Sequence, residues 1–127
     1  MSQSEIKLGK IGVVMLGVSQ LALSLAFYRD TLGMKLQNQF EGFAFLEAGG
    51  VTLVLSEPLA RAIGAAPGSS EIVFSVDGVR ESFDALKSRG VAFDIEPRVV
   101  SGPMWAANFR DPDGHRLSIF GPEHSAS

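Results

Sequence analysis

Apolar and polar positions recur with two different periods along the chain, and these periods predict short strands interrupted by two helices. Residues 11–18 form an apolar run too short for an independent helix, which is typical of a mostly buried strand. Ser19 is a candidate helix cap, and the apolar positions that follow recur at the spacing of one helical face: Leu21, Leu25, Tyr28 and Leu32. Gly33 stands where a glycine commonly ends a helix, so the pattern predicts a helix from about 20 to 32.

Three further strands complete the first half of the chain. The pattern predicts them at 34–40, 43–47 and 51–56, with turns at Glu41-Gly42 and Gly49-Gly50. Residues 58–70 then change character, because Pro58, Pro67 and several small residues interrupt any periodicity. This segment is predicted to be a linker with one helical turn near residues 59–63.

The same order begins again after the linker. A strand is predicted at 71–76, a helix along the stripe Val79, Phe83 and Leu86, a strand at 91–95 and a loop at 96–103. Residues 105–109 and 115–120 are predicted to form a hairpin across Asp111-Pro112-Asp113-Gly114, whose proline and glycine suit a tight turn. Residues 1–9 and 122–127 are expected to be frayed or disordered.

The two halves match position by position, which indicates a duplication. The segment FLEAGGVTLVL at 45–55 aligns with FRDPDGHRLSI at 109–119, and the helical stripes align after one deletion. The sequence therefore predicts an α+β fold of two tandem βαβββ modules, at about 10–57 and 71–121 with the linker 58–70 between them, in one domain spanning 1–127. Their eight strands are expected to form a cupped sheet around a shared cavity.

Composition excludes several classes of function. The net charge is -3, and the 11 basic residues form no run, so we expect no nucleic-acid partner. There is no cysteine, which excludes disulfides, thiol nucleophiles and cysteine-based zinc sites and fits a reducing cytoplasm. The start of the chain has no apolar leader and no run is long enough to span a membrane, so we expect a cytoplasmic protein without a membrane partner.

Four segments in order resemble the vicinal oxygen chelate superfamily, which includes glyoxalase I, bleomycin-resistance proteins and extradiol dioxygenases. They are VSQLALSLAFYRDTLGM, the linker, EIVFSVDGV and DPDGHRLSIF, and together they cover about residues 10–121. The resemblance implies paired βαβββ modules, commonly in a homodimer whose modules contribute to shared cavities. It does not imply one reaction.

The resemblance also implies where a divalent metal would be held, by His and Glu side chains on the first and last strands of each module. Those positions fall here on Val13, Val54, Glu71 and Ser118. One carboxylate and one hydroxyl are fewer donors than zinc or iron sites in proteins normally have. A shift of one residue in the first module brings in no donor either, so no cofactor is expected, and a metal would need a rearranged site.

Glu71 and Arg116 are the leading candidates for chemistry. Arg116 lies two residues before Ser118 on the same predicted strand face, so we predict an ion pair with Glu71 in the place of the metal. Its guanidinium would be presented to an anionic or carbonyl-bearing ligand, and under an enzyme hypothesis Glu71 would act as base. The alternative is that Glu71 is a solvated residue at a strand end.

Aromatic residues are the candidates for an apolar ligand wall. Trp105, Phe45 and Phe120, with Phe43 and Phe109, are predicted to line the cavity, the alternative being ordinary packing. His115 shares a face with Leu117 rather than Ser118, so we interpret it as a turn or interface residue, and His124 lies in the tail. No nucleophile motif or phosphate-binding loop occurs.

These observations predict a metal-free small-molecule-binding protein of unknown ligand, forming a homodimer. One alternative is a glyoxalase-like lyase or isomerase, or a dioxygenase, with a rearranged metal site. Another is a structural or regulatory dimer whose cavity is filled by its own side chains.

Overall fold

The two halves of the chain fold into the same succession of elements in the computed structural model, which describes residues 6–126. The first half contains β1 (Val13–Gly17), α1 (Leu21–Leu25), β2 (Leu36–Phe40), β3 (Phe43–Glu47), β4 (Thr52–Ser56) and α2 (Glu57–Ile63). The second half contains β5 (Glu71–Ser75), α3 (Val79–Ser88), β6 (Phe93–Ser101), β7 (Met104–Arg110) and β8 (Arg116–Pro122). The predicted α+β class and the two tandem βαβββ modules are confirmed.

Each module forms its own four-stranded mixed sheet. Sheet 1 has the order β1-β4-β3-β2 and sheet 2 the order β5-β8-β7-β6, so the first and last strands of each module are parallel neighbours. No strand pairing joins the sheets within residues 6–126, so the eight predicted strands are divided between two sheets. In sheet 2, Glu71 is in register with Arg116 and Val73 with Ser118.

The first helix follows the predicted apolar stripe, but its N-cap and its C-terminal half differ from the prediction. Leu21, Leu25 and Tyr28 are buried, and after α1 the backbone continues as a π-helix over Ala26–Thr31. Ser19 is not the cap: the N-cap residue is Gln20, whose side chain makes no capping bond. The backbone N–H of Leu21, which has no partner within the helix, donates to Glu57 Oε2 at 2.7 Å. The carboxylate of Glu57, on α2, is thus placed at the N-terminus of α1, where a negative charge is favoured.

One hydrophobic core joins the helix-bearing faces of the two sheets. It contains Tyr28, Leu46 and Leu55 from module 1 and Phe109 and Leu117 from module 2, all fully buried. We call the opposite face of each sheet its open face. Along β5, Ile72 and Phe74 pack against this core while the intervening residues are exposed, so strand alternation assigns each side chain to one face or the other.

Two predictions about irregular segments are wrong. The predicted loop at 96–103 is mostly strand, because β6 extends to Ser101 as an edge strand with register shifts around Pro97, where the missing N–H is tolerated. The predicted disordered tail instead lies on the start of α3, where Arg80 pairs with Glu123 at 2.9 Å and His124 Nδ1 lies 3.1 Å from Glu81.

The ends of the chain are described only in part. Residues 1–5 and 127 lie outside the described residues, as does that part of the prediction of frayed ends. Residues 6–12 are exposed and form no helix or strand. No helix in the described part of the chain combines the length and apolar character needed to cross a membrane.

Candidate functional site

A polar cluster lies on the open face of sheet 2, where β5, β7 and β8 run side by side. Arg116 Nε lies 3.2 Å from Glu71 Oε2, so the predicted ion pair is present. Asn108, on β7, donates from Nδ2 to the same carboxylate oxygen at 2.5 Å. The side chains of Glu71 and Arg116 are 33% and 41% exposed, so the pair is held on the sheet while remaining open to a ligand.

Asn108 is the residue of this cluster that the sequence analysis missed. It is 2% exposed, and its Oδ1 is a buried acceptor with no hydrogen-bond partner within residues 6–126. Buried acceptors are normally satisfied, and an unsatisfied one costs free energy. The alternation along β7 does place Asn108 opposite Ser118, but only the folded sheet reveals that its amide reaches Glu71.

The remaining candidates on this face are Ser118 and Phe120. Ser118 is buried between Asn108 and Val73, its neighbours in register on either side. Phe120 is half-buried two residues further along β8, beside Ala106. The open face of sheet 2 is therefore polar near Arg116 and apolar near Phe120.

A second arginine lies on the same face and contacts different partners. Arg110 is opposite Arg116 in register, pairs with Asp94 at 2.9 Å and donates to the Gly114 carbonyl at 2.9 Å. Arg116, in contrast, makes no hydrogen bond besides its contact with Glu71 in the described part of the chain. Its outer N–H groups are therefore available to an anion or a carbonyl.

The open face of sheet 1 is aromatic rather than polar. Phe45 contacts Phe40 edge to face at 5.8 Å between ring centroids and Phe43 at 6.5 Å. Strand register puts all three rings on the same face as Val54, which lies opposite Phe45 and is fully buried. Phe43 and Phe45 therefore lie on one apolar face, and their role in lining a ligand cavity stays a prediction.

The residues that the resemblance assigns to the metal positions offer too few donor atoms for a zinc or iron site. Val13 and Val54 lie on the open face of sheet 1 and bring no donor atom, and Ser118 brings only a hydroxyl. The carboxylate of Glu71 is held by Asn108 and Arg116, and a guanidinium in contact with it opposes a second cation. Within residues 6–126, no group of three or more His, Asp or Glu side chains is arranged to hold a metal.

Trp105 does not lie where the sequence analysis placed it. In register it faces the same way as Ala107 and Phe109, which belong to the core, so it lies on the helix-bearing face of sheet 2. The guanidinium of Arg80, on α3, stands 5.0 Å above its ring. Phe109 is fully buried on that same face, so neither aromatic side chain lines the open face.

The turn between β7 and β8 of module 2 forms hydrogen bonds with module 1. His115 Nε2 lies 2.9 Å from the carbonyl oxygen of Gly17 and must donate to it, while Ser19 donates from its hydroxyl to Asp113 at 2.6 Å. Tyr28 donates to Asp111 Oδ2 at 2.7 Å in the core. Burial, reinforced by the Asp111 carboxylate, raises the pKa of Tyr28 far above its usual value. His115 is therefore a turn residue at the module junction, as predicted.

Within residues 6–126, large apolar side chains remain exposed on both open faces. Val13 and Met15 on sheet 1 are 48% and 43% exposed, Phe40 is 56% exposed, and Val73 on sheet 2 is 51% exposed. A cluster of large apolar side chains on one surface is typical of a site that meets a ligand or another protein.

Comparison with known proteins gives a family and a fold. A family model described as "Glyoxalase/Bleomycin resistance protein/Dioxygenase superfamily" matches residues 10–119. None of the curated proteins compared with the sequence matches it.

Three similar solved structures illustrate the range of proteins with this fold. A glyoxalase/bleomycin resistance protein/dioxygenase from Nocardioides is 22% identical with a TM-score of 0.76, covering 96% of this chain and 89% of its own. TnmS3, an antibiotic binding protein from Streptomyces sp. CB03234, is 22% identical with a TM-score of 0.77 and coverages of 94% and 100%. Lactoylglutathione lyase from Agrobacterium tumefaciens is 22% identical with a TM-score of 0.73 and coverages of 89% and 93%. At this identity the likeness shows the fold alone.

Proposed function

The chain belongs to the glyoxalase/bleomycin resistance protein/dioxygenase superfamily, and we propose that it binds a small organic molecule without a metal on the open face of sheet 2. The observation that carries this proposal is the cluster at the family's metal positions. Glu71 is held there by Asn108 and Arg116, and the other three positions are Val13, Val54 and Ser118. An arginine in place of a metal ion retains a positive charge and also offers directional hydrogen bonds.

The chemistry of the cluster defines what the ligand must carry. The outer N–H groups of Arg116 suit a carboxylate or a carbonyl oxygen, whereas Asn108 is buried and contributes by holding Glu71 in place. Glu71 orients both side chains through one carboxylate oxygen. The ligand class is therefore a molecule with a carboxylate or a carbonyl group on an apolar, preferably aromatic, body.

We further propose that a second copy of the chain closes the site. Superfamily resemblance implies homodimers with shared cavities, and both open faces expose large apolar side chains within one chain. The aromatic face around Phe45 would then cover the polar face around Arg116 of the other copy. A cytoplasmic location is part of the proposal, since a chain without cysteine has no need of an oxidising compartment.

Two structural neighbours illustrate the two candidate roles, binding and catalysis. TnmS3 is described as an antibiotic binding protein, which supports a binding role on this fold. Another neighbour is a lactoylglutathione lyase, and an enzyme of that kind is the competing outcome of the test. The donor set favours binding, because superfamily enzymes act through a metal held at these positions.

The test combines metal analysis with a ligand screen. Protein purified without chelators is expected to contain far less than one metal per chain, and thermal-shift screening of small aromatic and dicarbonyl compounds is expected to find one that raises Tm. Arg116→Gln should abolish that shift, whereas the matched control Arg110→Gln on the same face should retain it. Stoichiometric Mn, Fe, Ni or Zn that binds tightly would overturn the proposal.

A further inference from the structure

The helix of each module packs near the other module. We call the contact of the module 1 helix with module 2 the first junction and the contact of α3 with module 1 the second junction. The two junctions differ although the sequences of the modules match. Alignment of Leu25 with Phe83 makes Phe27 equivalent to Ala85 and Tyr28 equivalent to Leu86. At the first junction Phe27 packs 6.4 Å from Phe109 between ring centroids, and the hydroxyl of Tyr28 reaches the turn of the other module. These two side chains fill the space between the helix and the neighbouring module.

At the second junction the equivalent side chains are smaller and a cavity remains. Its volume is about 270 Å³, and it lies between α3, sheet 2 and the segment that follows the π-helix of module 1. The wall is apolar and is formed by side chains of both modules: Leu32, Met34, Phe74, Leu86, Phe109 and Ile119. The cavity is on the helix-bearing side of sheet 2 and is therefore separate from the site on the open face.

Two polar groups stand on this otherwise apolar wall. Ser82, equivalent to Ser24, lines the cavity from α3, and Arg89 lines it from the end of that helix. Arg89 Nη1 donates to the carbonyl of Thr31 at 2.9 Å, which anchors the guanidinium across the junction. It forms no ion pair with an acidic residue within residues 6–126. An anchored, unneutralised guanidinium beside an apolar cavity is complementary to an anion with an apolar body.

We propose that this cavity binds a small amphipathic monocarboxylate, with the hydrocarbon part between the modules and the carboxylate on Arg89 and Ser82. Its volume lies just below the range of about 300–1,000 Å³ for pockets that take drug-sized ligands, so the ligand is a short-chain or single-ring acid. Because both modules contribute to the wall, the bound acid holds them together as Phe27 and Tyr28 do at the other junction.

The test uses octanoate and 1-octanol as probes of the full chain. Titration followed by ¹H–¹⁵N NMR is expected to give saturable shifts at Val76, Ser82, Ala85 and Leu86. Arg89→Gln should weaken octanoate binding by about tenfold or more, because it removes a charge-assisted hydrogen bond, and leave 1-octanol binding unchanged. The control Arg61→Gln, an exposed arginine on α2, should change neither.

A second variant tests the cavity itself. Ala85→Phe introduces the side chain found at the equivalent position 27 and should abolish octanoate binding while raising Tm. If Phe does not fold at this position, Ala85→Leu gives the same comparison with a smaller side chain. Octanoate shifts confined to residues outside the cavity, equal octanoate affinity in Arg89→Gln, or undiminished binding by the folded Ala85 variant would each overturn the proposal.

Discussion

Single buried polar side chains contribute to both the candidate site and the contact between the modules. Asn108 and Asp111 are 2% and 5% exposed, yet their situations differ. Both oxygens of Asp111 accept hydrogen bonds, from Tyr28 and from the backbone N–H groups of Asp113 and His115. Asn108 leaves one acceptor without a partner. A fully satisfied group stabilises the fold, whereas an unsatisfied one lowers its stability.

Asn108→Leu is expected to separate these two effects. The change removes the unsatisfied acceptor and the bond to Glu71 together and replaces them with an apolar side chain of similar size. The free energy of unfolding should therefore stay within about 1 kcal/mol of wild type or rise, while the thermal shift by the ligand identified in the screen is lost. Urea unfolding and thermal shift measure the two quantities. A loss of more than about 3 kcal/mol with ligand binding intact would show that Asn108 is structural.

Tyr28→Phe should lower the free energy of unfolding, whereas Asn108→Leu should not. The change at Tyr28 leaves Asp111 Oδ2 buried without its donor, which should lower the free energy of unfolding by about 1–3 kcal/mol at pH 7. Because the pKa of Tyr28 is raised in the folded state, only the unfolded chain loses this proton above a pH of about 10. Wild type should then lose stability between pH 9 and 11 that Tyr28→Phe does not lose, and the gap between the two should narrow. A gap that widens with pH would contradict the assignment.

At the scale of elements, what the sequence predicts well is what depends on local chemistry. The Asp111–Gly114 turn and the stripe of α1 follow from residues that are adjacent or one helical turn apart. The predictions for Ser19 and the tail are wrong because their partners are distant in sequence, and the prediction for 96–103 is wrong because Pro97 and Gly102 interrupt the pattern of a strand that pairs with the adjacent β7. Asp113 takes the hydroxyl of Ser19, β7 extends β6 past Pro97, and α3 holds the tail.

The close approach of β8 to the residue that follows β5 leads to a prediction at this scale. Val76 donates its N–H to the Phe120 carbonyl at 3.0 Å, and a Cβ at Gly121 would overlap the carbonyl oxygen of Val76. Gly121→Ala should therefore lower the free energy of unfolding by about 3 kcal/mol, since two backbone segments would have to separate. Gly68→Ala is the matched control, because a Cβ there has open space and the φ angle is ordinary. Equal midpoints of urea unfolding for the two variants would rule out the close approach.

At the scale of the whole molecule, a duplicated sequence predicts two modules but not the faces through which they pack. The repeat places Phe45 and Phe109 at equivalent positions, yet Phe45 lies on an open face and Phe109 is buried in the shared core. The difference arises at β3 and β7, where Phe45 pairs with Val54 but Phe109 pairs with Leu117. A register offset of one residue between copies reverses a side chain's face, so the site could be predicted at Glu71 and Arg116, whereas Phe109, predicted to line the cavity, is buried in the core.

The exposed open faces lead to a prediction about assembly. If two copies meet through these faces, Val73→Lys should place a charge inside the interface and convert the dimer into a monomer, with no loss of folded structure because Val73 is 51% exposed in the single chain. Leu23→Lys is the matched control, since Leu23 is 53% exposed but lies on α1, away from both open faces. Light scattering coupled to size-exclusion chromatography gives the mass of each variant, and circular dichroism checks the fold. A wild-type monomer, or a dimer that Leu23→Lys dissociates and Val73→Lys does not, would mean that the open face of sheet 2 binds its ligand without a second copy.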